Sequence, residues 1–185
     1  LPGIDSEGIF TLRNVTDTDR IKSFMQQKEV KNAVIVGGGF IGLEMAENLH
    51  HTGAKVSIVE RGNQVMNPID FSMASLVNKH LQEKGIQLLL GEAVESFTGK
   101  DGRLTVHFKS GMELESDLVL LSIGVKAETT LARNAGLRLG EMQGIYVNRH
   151  LQTSDENIYA VGDAIEFPHP ITGKPWLNFL AGPAN

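Results

Sequence analysis

The run Val34-Ile35-Val36-Gly37-Gly38-Gly39-Phe40-Ile41-Gly42-Leu43-Glu44 constrains this chain more than any other stretch. Its apolar start reads as a buried β-strand, its glycines as a tight turn, and the remainder as the opening of a helix. Gly37, Gly39 and Gly42 fall in the pattern GxGxxG. In a dinucleotide site the first glycine permits the turn, the second lets the backbone approach a pyrophosphate, and the third lets the helix pack closely on the strand. The helix N-terminus then offers unpaired N–H groups and a partial positive charge to the phosphates. The chain holds 20 glycines in 185 residues, so the flanking sequence must decide whether the pattern has meaning. It does so clearly. Ile41, Met45 and Leu49 recur at helical spacing, Thr52-Gly53 closes the helix, and a second strand, Lys55-Val56-Ser57-Ile58-Val59, ends on Glu60. Glu60 stands 18 positions past Gly42, close to the ~20 at which a carboxylate receives a ribose 2′-hydroxyl in such units. A 2′-phosphate there would meet like charge, which favours NADH over NADPH. Arg61 runs the other way, since a guanidinium beside the ribose can hold a phosphate.

Composition excludes several other classes. A hydrophobic fraction of 41% and a charged fraction of 21% belong to an ordinary globular protein. The net charge of −5 offers no basis for a nucleic-acid or anionic-membrane partner. No apolar run reaches membrane-spanning length, and the opening LPGIDSEGIF has no basic segment followed by an apolar one. The chain has no cysteine, which removes disulfides, thiolate metal sites and a cysteine nucleophile, and fits a reducing cytoplasm. His50 and His51 fall near a helix end, His80 on a helix, His107 in a strand, and His150 and His169 in loops. They do not group at ligand spacing, so neither a metal site nor a catalytic residue is expected within this chain. The missing initiator Met and the ending at Asn185 suggest an excised piece of a longer protein.

Along the chain, residues 1–16 read as an extended arm, and Asp17 as the N-cap of a short helix over 18–27. After the strand–helix–strand unit comes a loop over 62–69. A helix capped by Asp70 follows, with Met73, Ala74, Val77 and Leu81 on one face and Gly85 as its stop. A third parallel strand is expected over 86–90. The pattern then turns hairpin-like, with short β segments over 94–97, 104–108 and 112–114. The turn sequences Gly99-Lys100-Asp101-Gly102 and Ser110-Gly111 separate them. A buried strand over 117–123 ends at Gly124, and a short helix over 129–134 precedes Gly136. The fold class is therefore α/β and Rossmann-like: a central parallel sheet, an antiparallel β-meander, and helices packed on the sheet.

Four stretches resemble the flavin-dependent pyridine nucleotide-disulfide oxidoreductases. GGGFIGLE is similar to that family's second nucleotide motif, and Ser122-Ile123-Gly124-Val125, running on to Thr129, to its "IGxxPNT" segment, with Ala127 and Glu128 replacing Pro and Asn. Thr153 to Asp163 resembles the second flavin motif, "TSxxxIYAxGD". LAGPAN, together with Asn63-Gln64-Val65-Met66 and Asp70-Phe71-Ser72-Met73-Ala74, is most similar to the coenzyme A-disulfide reductase and NADH oxidase branch. The resemblance implies dinucleotide binding by Gly37, Gly38, Gly39, Phe40, Ile41, Gly42, Glu44, Glu60, Arg61, Ile123 and Gly124, with Glu44 in the first helical turn, near nicotinamide and flavin. It implies a flavin contact by Gly162 and by Asp163, the latter to the ribityl chain.

It further implies a cytoplasmic, homodimeric parent that passes hydride from NAD(P)H to FAD and on to a disulfide, persulfide or oxygen. On this reading residues 1–28 and 149–185 are edges of a flavin domain around a nicotinamide domain over 29–148. The flavin motif, redox cysteine and dimerisation domain would lie elsewhere in the parent, and the chain alone is expected to be inactive. Two alternatives stand beside it: the corresponding domain of a ferredoxin- or rubredoxin-type NADH reductase, and a non-catalytic nucleotide-binding redox sensor.

Overall fold

The computed structural model describes residues 1–100 and 102–177, and the chain divides into two compact units, Leu1–Gly124 and Val125–Asn185. The first unit is built on five parallel strands: β1 (Ile9–Thr11), β2 (Asn32–Val36), β3 (Lys55–Glu60), β4 (Gln87–Leu90) and β8 (Leu118–Leu121). They lie in the order β1-β8-β2-β3-β4, with β2 at the centre. Apolar residues crowd these strands because both faces are covered. Ala33, Ile35, Val56, Ile58, Leu118 and Leu120 point toward three helices, α1 (Val15–Gln27), α2 (Phe40–His51) and α3 (Phe71–Glu83). The alternate residues Val34, Val36, Val59, Val119 and Leu121 point toward an antiparallel meander of β5 (Val94–Lys100), β6 (Arg103–Phe108) and β7 (Glu113–Ser116). Phe97, Leu104, Val106 and Phe108 supply the meander's apolar face. The expected parallel sheet, meander and covering helices are thus present.

The differences from expectation lie in detail. Helix α1 begins at Val15, with Asn14 as its N-cap. The Asn14 side chain accepts from the Asp17 N–H at 3.0 Å, while Asp17 accepts in return from the N–H groups of Asn14 and Arg13 at 3.3 and 2.9 Å. Asp17 is therefore the third residue of a capping box rather than the cap. Helix α2 buries Gly42, Ala46 and Leu49, and Ile41 is 38% exposed. The helix is rotated so that its smallest residues meet the sheet. Helix α3 likewise buries Ala74 and Leu81 and leaves Met73 57% exposed. Asp117 precedes β8 instead of belonging to it, because its carboxylate accepts from the N–H groups of Lys31 and Asn32 at 2.9 and 2.8 Å where β2 begins. Gly99 and Lys100 join β5, and β6 begins at Arg103; Asp101 is outside the described residues.

The second unit holds α4 (Thr130–Asn134) and a small sheet of β9 (Ile145–Tyr146), β10 (Ile165–Pro168) and β11 (Pro175–Trp176), with β10 in the middle. Glu166 on β10 is buried, and its carboxylate accepts from the N–H groups of Met142 and Gly144 at 2.8 and 3.2 Å. The expected LAGPAN segment, Leu180 to Asn185, lies outside the described residues. No helix among the described residues is long and apolar enough to cross a membrane.

Replacing Asn14 by Ala removes one half of the capping box and should destabilise the chain by about 1 kcal/mol. In a chain of this size that lowers the thermal midpoint by roughly 2–4 °C. Circular dichroism melting checks it.

Candidate functional site

Strands β3 and β4 step away from β2 on one side, whereas β8 lies on the other. The chain therefore reverses direction across the sheet at the carboxyl end of β2, the place where open α/β sheets form ligand crevices. A cleft of about 550 Å³ opens there. Val36, Gly37 and Gly39 come from the end of β2, Val59, Glu60 and Arg61 from the end of β3, and Ser122, Ile123 and Gly124 from the segment after β8. Leu1, Asn67 and the stretch Glu92-Ala93-Val94 complete the wall.

The three glycines have different reasons to be glycine. Gly37 has a φ of +109°, and a Cβ there would collide with the Ser122 carbonyl oxygen. Gly42 has an ordinary helical backbone, but a Cβ would run into the Gly37 carbonyl and the Ser122 hydroxyl. Both are demanded by the fold. Gly39 is not. Its φ of −82° suits any residue, and a Cβ built on it meets nothing within 4 Å. It borders the cleft and serves as the N-cap of α2, where no side chain caps the helix. A side chain at residue 39 would occupy only the space in front of the exposed helix N-terminus.

The donors in this turn can be sorted. The Gly37 N–H donates to the Val59 carbonyl at 2.8 Å, and the Gly38 N–H to Glu60 Oε2 at 2.8 Å. Both are engaged within the protein. The N–H groups of Gly39, Phe40 and Ile41 have no partner among the described residues, and the positive end of the helix dipole lies behind them. Glu60 is held at both oxygens: Oε1 accepts from the Gly62 N–H at 2.7 Å and lies 3.5 Å from Asn67 Nδ2. A carboxylate has about four lone-pair positions, so the held side chain keeps acceptor capacity toward the cleft. Arg61 is exposed and has no hydrogen-bond or ion-pair partner among the described residues.

The structure thus brings Gly37, Gly39, Glu60, Arg61, Ile123 and Gly124 together around one cleft. Gly38 and Gly42 are buried behind it, and Phe40 and Ile41 are exposed on the first turn of α2. Glu44 falls beyond the first turn, because the helix starts at Phe40, and lines a separate groove of about 280 Å³ with His50, His51 and His80. Gly162, with a φ of +93°, and the exposed Asp163 belong to the second unit; the Asp163 carboxylate has no partner among the described residues. No group of three or more His, Cys, Asp or Glu among the described residues could hold a metal ion.

Sequence reasoning missed Ser122, whose hydroxyl donates to the Gly37 carbonyl at 2.8 Å and lies 3.1 Å from that of Val36. In the sequence it stands only as the first residue of the Ser122-Ile123-Gly124-Val125 resemblance, with no role of its own, and its other local signal is a hydroxyl directly after the apolar run Leu118–Leu121.

The profile of the pyridine nucleotide-disulphide oxidoreductases matches residues 1–177, so the chain belongs to that family. It is 38% identical over its full length to an NAD(P)H sulfur oxidoreductase (CoA-dependent) of Pyrococcus abyssi, covering 41% of that protein. It is 36% identical over 96% of its length to an NADH oxidase of Methanocaldococcus jannaschii, covering 40% of it. Among solved structures, reduced Bacillus anthracis CoADR-RHD superimposes with a TM-score of 0.91 at 45% identity, over the whole of this chain and 33% of that one. The chain spans about two fifths of the length of these curated relatives.

Alanine at Gly37 and at Gly39 should separate the two kinds of glycine. Gly37→Ala combines a left-handed backbone with a steric collision and should lose about 2 kcal/mol or more. Gly39→Ala should cost less in thermal melting, about 0.5–1 kcal/mol, the ordinary preference for glycine over alanine at an N-cap.

Proposed function

We propose that this chain is the nicotinamide-dinucleotide-binding part of a flavoprotein oxidoreductase, with NADH preferred to NADPH. The observation that carries this reading is Gly39: a glycine without a folding reason, beside an uncapped helix N-terminus and in the same cleft as Glu60. The residues present fit such a ligand. The N–H groups of Gly39 and the first turn of α2 would bind the pyrophosphate, and the absent Cβ of Gly39 would make room for it. Glu60 would accept from the adenosine ribose, with Arg61 as an exposed cation nearby. Ile123 and Gly124, after β8, would border the nicotinamide half; Gly124 has a φ of +117°, and a Cβ built there meets nothing within 4 Å. The bound cofactor would supply a hydride from its nicotinamide ring, and the protein's task is to hold and orient it.

In the parent protein, Gly162 and Asp163 would face FAD, the free Asp163 carboxylate being an acceptor for ribityl hydroxyls. The names of the relatives support a disulfide, persulfide or oxygen as the final acceptor. A homodimeric parent rests on the family resemblance alone, and a cytoplasmic setting is supported by a chain without cysteine.

Calorimetric titration of the chain with NADH and NADPH tests the reading. NADH should bind about tenfold or more tightly than NADPH, because a 2′-phosphate replaces a charge-assisted hydrogen bond with repulsion. Glu60→Ala should shrink that ratio, and Glu60→Arg should reverse it. A wild type that prefers NADPH would contradict the ribose assignment. Gly39→Val should abolish binding of both dinucleotides while the melting curve is retained; unchanged affinity would place the phosphate cradle elsewhere.

A further inference from the structure

The segment Asn63-Gln64-Val65-Met66 has no role in the site as described so far, and none of the four lines the cleft. It is nevertheless closely tied down. Gln64 Nε2 donates to the Ile69 carbonyl at 2.8 Å, and the Val65 N–H lies 3.4 Å from Asn78 Oδ1 on α3. Met66 sits at a φ of +54°, a left-handed backbone that a non-glycine residue adopts only under constraint. The constraint points at Gly38. The Met66 N–H donates to the Gly38 carbonyl at 2.8 Å, while the Gly38 N–H donates to Glu60 Oε2 at 2.8 Å. The Val65 side chain, 0% exposed, closes the third side: a Cβ on Gly38 would stand 3.0 Å from Val65 Cγ1. The middle glycine is thus held at its donor by Glu60, the last residue of β3, and at its acceptor and α-carbon by Met66 and Val65 in the chain that follows.

We propose that Val65 is a positioning residue for dinucleotide binding, which acts through Gly38 to hold the glycine turn in its ligand-ready shape. The Gly38 carbonyl and the Gly39 N–H belong to one planar trans peptide unit, so holding that carbonyl with the Met66 N–H also fixes the direction of the Gly39 N–H. Val65 itself is packed behind the turn and cannot touch a ligand in the cleft. Its contribution is preorganisation, which strengthens binding by reducing the ordering that the ligand must otherwise impose. The same geometry links the two halves of the site: Glu60 faces the ribose position and also anchors the turn beneath the pyrophosphate position. The proposal rests on the dinucleotide reading above.

The test compares Val65→Ala with Val106→Ala, the same truncation at an equally buried position in the meander. Both variants should melt lower than wild type. At a temperature well below either midpoint, Val65→Ala should weaken NADH and NADPH alike by about five- to tenfold with their ratio unchanged, and Val106→Ala should weaken neither. Hydrogen exchange of the Gly38 amide, followed by NMR in the ligand-free chain, should speed up in Val65→Ala and stay slow in Val106→Ala. Affinity within twofold of wild type in Val65→Ala, or unchanged Gly38 exchange, overturns the positioning role. Equal losses of affinity in the two variants overturn it as well. A wild type that binds neither dinucleotide overturns the underlying reading instead, and the exchange data then still judge whether Val65 holds Gly38.

Discussion

One close approach organises the carboxyl end of the sheet: the first turn of α2 lies directly against the backbone of Gly37. It is possible only because Gly42 has no side chain, and it is pinned by the Ser122 hydroxyl reaching across from the end of β8. A single methyl group at Gly42 would force the helix away from both. Strand β2, helix α2 and the segment after β8 therefore meet at a point that tolerates little adjustment, consistent with the close packing of protein interiors. The direction of the helix N-terminus follows from that contact. So does the opening of the cleft at the carboxyl end of β2, between its neighbours β8 and β3.

Around this point the two faces of the sheet are covered by different kinds of layer. Helices cover one face and a meander the other, and β2 contributes to both through strictly alternating residues. This places Gly37 at the end of a strand buried on every side, where backbone shifts are resisted by core packing. A site on such a strand is held more rigidly than one on a free loop.

Much of this was legible in the sequence because its signals are local. Strand, glycine turn, helix and second strand announce themselves within the thirty or so residues of one βαβ unit. The hairpin turns and the Gly85 stop also depend only on neighbouring residues. What was misread depends on contacts across space. Of the apolar positions Ile41, Met45 and Leu49 read on helix α2, Leu49 is buried and Met45 is half-buried against the core, but Ile41 is exposed and Gly42 and Ala46 meet the sheet instead, because closeness to the sheet selects small residues there. Asp117 looked like part of a strand, yet its carboxylate serves the backbone of residues 31 and 32. Glu60 was legible as an acid at the right spacing, but its grip on Gly38 was not, and Val65 was legible only as part of the loop stretch Asn63-Gln64-Val65-Met66 that carries the family resemblance, not as a contact of the glycine turn.

The position of β8 has a consequence for how the molecule assembles. It lies between β1 and β2, pairing in register with Ile9–Thr11 on one side and with residues 33–36 on the other. The strands β2, β3 and β4 can pair as they leave the ribosome, linked by short helical crossovers. β1 has no neighbour until residues 118–121 have been made. A gap therefore stays open in the growing sheet while residues 37–117 are made, and the last strand to arrive must enter between two that already exist. Such long-range closure is the slow kind, and during it the apolar edge of β2 stays available to another nascent copy. The burden of avoiding aggregation falls on the interval before β8 arrives.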